Sequence, residues 1–293
     1  MIPDLYAALV APFADFAFMR RALVGAVALS VGAGPIGVFL MLRRMSLTGD
    51  AMAHAILPGA AVGFLIAGLS LPAMTLGGLV AGVSVALLTG LVARATALRE
   101  DAALAAFYLL SLALGVTLVS LKGSNVDLLH VLFGSVLALD DDALLLLCGV
   151  STVTLFALAL IYRPLALECV DPGFLGSVSR SGGAAHLVFL GLVVLCLVAG
   201  FQALGTLLAV GVMMLPAAAA RFWTDSLAGM FVASITVGTL SSVAGLLGSY
   251  HFGVPAGPAI ILAAGCLYLL SLALGLRGGV LWRLAPAPRH RTA

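Results

Sequence analysis

Charge is what this 293-residue chain has least of: Asp, Glu, Lys and Arg together make up 9% of it, against about 25% in soluble domains. So little charge excludes a solvated globular surface, and a net charge of +2 is too small to draw a nucleic acid. Lysine occurs once, as Lys122 in LKGSN. No GxxxxGK[ST] phosphate loop is therefore present, and any ATP that drives this chain is bound by another one. The absence of HExxH removes the zinc and general-base signature of an intramembrane protease. The four cysteines (Cys148, Cys169, Cys196, Cys266) have no CxxC spacing, which argues against a thiolate metal site or a disulfide framework and leaves them as packing residues. Residues 1–17 lack the basic start and cleavage site of a signal peptide. With Asp4, Asp15 and two prolines they are too interrupted to span a bilayer, and they read as an interfacial helix.

What is abundant is apolar. Hydrophobic residues make up 63% of the chain and its mean hydropathy is +1.23, where soluble domains run at about 45–50%. The fold class is an all-α polytopic membrane protein. A crossing needs about 20 apolar residues, and candidate spans lie at 22–42, 51–69, 72–93, 102–121, 143–162, 184–201, 203–220, 227–248 and 257–276, giving eight or nine transmembrane helices. The spans at 51–69 and 203–220 carry Pro58 and Pro216 and are expected to be broken or kinked. Glycine (34 residues) is spread through the apolar runs, as in bundles whose backbones approach closely; Gly59 with Gly63 and Gly78 with Gly82 are such pairs.

Orientation follows from the basic residues. Placing 163–183 in the cytoplasm puts eleven of the fourteen basic residues inside: Arg43, Arg44, Arg94, Arg99, Arg163, Arg180, Arg221, Arg277, Arg283, Arg289 and Arg291. Arg20, Arg21 and Lys122 fall outside. This is the positive-inside asymmetry, and it places the C-terminus in the cytoplasm. Nine spans leave the N-terminus outside, with Asp127, Asp140, Asp141, Asp142 and His251 on that face. The chain then divides into an interfacial segment 1–17, a transmembrane domain 18–277 with a cytoplasmic loop 164–182, and a tail 278–293.

The stretch RRMSLTGDAMAHAILPGAAVGF (43–64) carries Asp50 and His54 into an otherwise apolar run. Four residues apart, they share one helix face, so a carboxylate oxygen and an imidazole nitrogen can converge on one divalent cation. Ionisable groups inside a span cost about 2.5–3.5 kcal/mol each and mark substrate or ion pathways. Counted from Arg44, Asp50 and His54 lie about 9 and 15 Å along a helix, between the inner boundary and the midplane. Plainer readings exist for each group. Asp50 could cap a helix beginning at Ala51. His130 reads as structural, His251 as solvated, and the Asp140–Asp142 run as a helix start. Gln202 reads as bonded to a neighbouring helix. His186 and His290 have no partner that points to chemistry.

GDAMAHAILPGAAVG (49–63) resembles the GDxxSHxxLPGxxxG signature of the membrane permeases of ABC importers for zinc, manganese and iron(II), the ABC-3 or ZnuB/MntB-like family. VDLLHVLFGSVLALDDD (126–142), DPGFLGSVSRSGG (171–183), FQALGTLLAVGVMMLPAAAARF (201–222) and GLLGSYHFGVPAGPAIIL (245–262) are similar to further segments of that family, so the resemblance covers about residues 18–277. The chain departs from the pattern at Ala53, where Ser is usual, and at Gly253, where an acidic residue is common; His130 falls at a variable position.

The resemblance implies a homodimeric permease related in architecture to the vitamin B12 type, paired with a cytoplasmic ABC ATPase dimer and a periplasmic metal-binding protein. It implies no enzyme activity and no resident cofactor: Zn2+, with Mn2+ or Fe2+ after it, is cargo. Asp50 and His54 are then the transit ligands, and His251 is a candidate entrance ligand. Glu168, Asp171, Gly176 and Arg180 are candidates for the ATPase contact, where FLGSVSR is long enough for about two helical turns. Beyond membrane lipid these are the expected partners. The alternatives are a secondary ion-coupled metal transporter, a siderophore or cobalamin permease of the same architecture, and, more distantly, an intramembrane enzyme.

Overall fold

The structure is a computed structural model that describes residues 6, 8–68, 70–98, 100–121, 136–170 and 181–281. Its helices are α1 (Ala11–Asp15), α2 (Ala17–Leu42), α3 (Thr48–Ala55), α4 (Leu57–Ala67), α5 (Leu71–Ala95), α6 (Glu100–Leu121), α7 (Asp141–Val170), α8 (Ser181–Leu204), α9 (Thr206–Ala220), α10 (Leu227–Phe252) and α11 (Ala256–Leu274). Eight stretches are long and apolar enough to cross a membrane, with α3 and α4 together forming one of them. The ninth, α9, has only 15 residues, about 22 Å of helix. The eight-or-nine ambiguity is thus one of length: eight full spans and one short one.

Of the two expected breaks, one is present. α3 ends at Ala55 and α4 starts at Leu57 with Pro58 in its first turn, where a missing N–H leaves no carbonyl unpaired. The span expected to break at Pro216 is continuous as α9, and Gly205 makes the turn that joins it to α8. Gly205 has φ 97°, a region open to glycine. Its N–H closes α8 on the carbonyls of Gly200 and Phe201, and its own carbonyl accepts from Ala209 to open α9. Pro216 stays inside α9, as Pro35 does in α2 and Pro164 in α7. Residues 164–170 of the expected loop continue α7 as helix.

Contacts between distant segments sort the helix ends into two sets. At one end Arg21 pairs with Asp141 at 2.9 Å, the ring of Phe16 lies 5.8 Å from that of Tyr250, and Asp140 accepts from the Ala143 N–H, capping α7. At the other, Arg43 pairs with Glu168 at 2.6 Å and Arg277 with Asp225 at 3.0 Å. This is the alternation that nine antiparallel crossings require, with Arg43, Arg221 and Arg277 gathered at one end.

α2 and α8 form the centre: 72% of each apolar window is buried, against 17% for α6 and 22% for α7 and α11. Lipid tails offer no hydrophobic drive between helices, so close approach of small residues takes its place. A Cβ at Gly37 would strike the Met213 carbonyl, one at Gly59 the Gly77 carbonyl, and one at Gly63 the backbone of Ala73. Gly78 and Gly82 face α8 and Ile56, with Cβ positions 2.7 Å from Ile56 Cγ2 and 2.5 Å from Val194 Cγ1. Both expected glycine pairs are therefore helix-packing surfaces.

Gly37→Ala must push α9 away from α2 and should cost on the order of 1–3 kcal/mol. Gly90→Ala, with open space around it, should be neutral or slightly stabilising through helix propensity. Thermal inactivation in detergent, followed by size-exclusion chromatography, separates the two; equal behaviour would mean that the α2–α9 contact is not tight.

Candidate functional site

The site is set by the turn between α2 and α3. The N–H of Arg44 bonds to the Met41 carbonyl and that of Met45 to the Leu40 carbonyl, a Schellman stop that needs a left-handed residue and usually takes glycine. Here it is Arg44, at φ 59°. The chain reverses there and α3 begins at Thr48. Asp50 is thus inside the first turn and not the cap, in the positive field of the helix N-terminus. Because α3 starts at Thr48 instead of running on from Arg44, the two residues lie nearer its beginning, about 3 and 9 Å along it. A Cβ at Gly49 would stand 3.8 and 3.7 Å from the sulfurs of Met213 and Met214, so the pair sits level with the middle of α9.

α3 buries Ala51, Met52, Ala53 and Ala55 and leaves Asp50 exposed. Asp50 Oδ1 and His54 Nε2 are 3.8 Å apart, with the side chains 64% and 28% exposed. That is too long for a hydrogen bond, and it is close to the spacing of two donors that each stand about 2.0–2.2 Å from a shared ion. The other imidazole nitrogen, His54 Nδ1, is buried and has no hydrogen-bond partner, and the ring lies 6.2 Å from that of Tyr108. Among the described residues no group of three or more His, Cys, Asp or Glu could hold a metal. One chain brings two donors to this point.

The other expected site residues lie apart. His251 ends α10 at the Arg21 end, where its Nε2–H donates to the Ala8 carbonyl at 2.9 Å and its ring meets Tyr250. Glu168 ends α7 and turns inward: Arg43 Nη2 donates to Glu168 Oε1 at 2.6 Å and meets His186 Nδ1 at 2.5 Å. The guanidinium also stacks on Phe189, 5.3 Å from the ring centroid. Asp171, Gly176 and Arg180 lie outside the described residues, as do Asp127, His130 and His290. Gln202 accepts from Thr75 Oγ1 at 3.0 Å, the helix–helix role expected of it.

His186, expected to have no telling partner, belongs to a partly buried cluster that joins α2, α7 and α8. Its signal in the sequence was faint: Arg43, Glu168 and His186 each sit at the same end of a different span.

The chain matches the ABC 3 transport family over residues 15–275. It is 34% identical to the manganese import system permease protein ScaB of Streptococcus parasanguinis, over 88% of this chain and 90% of the relative. To the manganese transport system membrane protein MntC of Halalkalibacterium halodurans it is 32% identical, over 92% and 91%. It superposes on PsaBC from Streptococcus pneumoniae, solved in complex with Fab, with a TM-score of 0.83 at 31% identity, covering 97% of this chain and 100% of that one. A transporter described as of the metal-chelate ABC type, in an inward-facing conformation, gives 0.66 at 16% identity over 86% and 85%, a likeness of fold.

Removing one partner of a buried ion pair leaves an uncompensated charge at about 3–5 kcal/mol, whereas replacing both by apolar groups is often neutral. Glu168→Gln and Arg43→Met should each lower the melting temperature of the purified chain strongly. The double variant Arg43→Met/Glu168→Met should recover much of the loss in a double-mutant cycle; strictly additive losses would mean the two groups do not act as a pair.

Proposed function

The chain belongs to the ABC 3 transport family, a family of ABC transport permeases, and on that premise we propose that two copies of it form the path by which an ABC importer moves a divalent transition metal, Asp50 and His54 being the transit ligands. The observation that carries this reading is the 3.8 Å spacing of the two donors on one exposed face of α3. Two donors cannot complete a coordination shell, but a two-fold axis turns them into two carboxylates and two imidazoles. Such a mixed set suits zinc tetrahedrally and manganese with added waters.

Sequence reasoning placed zinc first. Two considerations move manganese ahead of it: the relatives named above are manganese permeases, and Asp50 is open enough for a shell that keeps waters. A transit site must release what it binds. Metal-bound histidines are ordinarily held by an acceptor on the second ring nitrogen. His54 Nδ1 has none, so the imidazole is loosely held and its grip on the ion is correspondingly weak.

In this reading the Arg43 end faces the cytoplasm, as the positive-inside asymmetry implies, together with the C-terminus. The ATPase meets the chain around Glu168, Asp171, Gly176 and Arg180, with Glu168 acting through its bond to Arg43. The metal-binding protein docks at the Arg21 end. There His251 can serve as an entrance ligand once it gives up the Ala8 carbonyl. The metal is cargo and ATP is hydrolysed by the partner.

Asp50→Asn and His54→Ala should each cut manganese uptake by more than about tenfold in cells that express the whole importer, with the complex still recovered from the membrane. Undiminished uptake by either variant overturns the transit role. Uptake that survives loss of the ATPase and follows a proton or sodium gradient assigns the chain instead to secondary transport. Zinc that blocks manganese uptake at equal concentration restores zinc to first place.

A further inference from the structure

A cavity of about 370 Å³ opens beside Asp50, with His54 not among its lining residues. It lies where α3 and α6 begin and α5 approaches its end, so it is on the Arg43 side of the transit pair. Asp50, Thr89, Asp101 and Tyr108 lie on its wall, with Arg44, Ser46 and Thr48 from the turn into α3 and apolar side chains making up the remainder. Six waters at about 30 Å³ each fit within it, so a hydrated ion has room.

Thr89 points to an occupant. The residue is 3% exposed, yet its hydroxyl is buried with no hydrogen-bond partner. Other helical threonines in this chain donate to the carbonyl four residues back, as Thr75, Thr117, Thr152 and Thr236 do at 2.7–2.8 Å. Thr89 forgoes that bond on a cavity wall that also carries two carboxylates. A buried hydroxyl left unpaired is costly, and an ion with its waters is the kind of neighbour that would satisfy it.

We propose that this cavity is a second cation station, after the Asp50–His54 pair, that holds a partly hydrated Mn2+ on oxygens alone: the carboxylates of Asp50 and Asp101, the Thr89 hydroxyl and the Tyr108 phenol. This rests on the reading of Asp50 and His54 as transit ligands. Asp50 belongs to both stations, so the ion moves between them without losing that carboxylate and exchanges an imidazole for oxygen donors. Oxygen donors suit Mn2+, whereas imidazole favours Zn2+, so the second step lets manganese pass and holds zinc back. The station is weak by construction. Two helix N-termini, each worth roughly half a positive charge, together with Arg44, oppose the two carboxylates, and weak binding is what release needs.

The test is Mn2+ titration of the purified full-length chain in detergent, with free Mn2+ read from its electron paramagnetic resonance signal. Asp101→Asn and the isosteric Thr89→Val should each weaken one class of bound Mn2+ by tenfold or more, Thr89→Ser should restore it, and His54→Ala should leave that class in place. Wild-type binding by monodisperse Asp101→Asn and Thr89→Val, or loss of all bound Mn2+ in His54→Ala, overturns the proposal. The underlying reading fails separately: normal manganese uptake by His54→Ala cells removes the transit pair whatever the cavity binds.

Discussion

The guanidinium of Arg43 is the group on which the Arg43 end of this protein depends. Its side chain is 8% exposed and that of Glu168 17%, so both charges are largely withdrawn from solvent. A charge so placed is tolerable only when paired and hydrogen-bonded, and the pairing fixes three elements at once: the C-terminus of α2, the end of α7 and, through His186 and Phe189, the start of α8. The Schellman turn leaves directly from Arg43 and sends the chain back into α3. Asp50 is therefore positioned by a salt bridge that it does not touch. α7 and α8 also flank residues 171–180 on either side. A displacement of those two helix ends has to be followed by Arg43, and with it by the turn into α3, or else leave a buried charge unpaired.

Away from that end, packing replaces pairing. α2 passes α9 with Gly37 against the Met213 carbonyl, and α4 passes α5 with Gly59 against Gly77. Backbones that touch leave nowhere for a side chain to adjust, so these contacts are stiff. Exposed apolar side chains such as Leu110, Phe156, Leu160 and Leu262 are ordinary for a surface that meets lipid.

Hydropathy made the spans legible because each crossing must satisfy its own backbone and present apolar side chains along its length. The same logic marked Asp50 and His54 as out of place. What it left dark depends on geometry across the chain. Arg43 and Glu168 are 125 positions apart, and no local pattern ties one to the other. The start of α3 was misplaced because TGD reads as a cap before Ala51, whereas the Schellman turn completes itself at Arg44 without a glycine to announce it. The break expected at Pro216 is absent, since a helix tolerates proline when neighbouring helices re-satisfy the freed carbonyl, and the turn at Gly205 falls between two spans that hydropathy had already separated. Thr89, Asp101 and Tyr108 carried no signal, since a threonine in a span ordinarily bonds to its own helix.

The unpaired polar atoms are unevenly placed. Among the described residues five buried side-chain atoms lack a hydrogen-bond partner, and four of them belong to Arg43, His54, Thr89 and Glu168, the fifth being on Gln202 near the opposite end. Each such group costs about 1–3 kcal/mol, so the cost is concentrated around the turn from α2 into α3 and spared in the α2–α8 centre. A rigid scaffold would lose nothing by satisfying these groups within itself. Of these atoms the His54 nitrogen, the Thr89 hydroxyl and the Glu168 oxygen can offer a lone pair, whereas the Arg43 N–H can only donate a hydrogen bond, so the unmet capacity beside the turn is mostly for a positively charged or hydrogen-bond-donating neighbour.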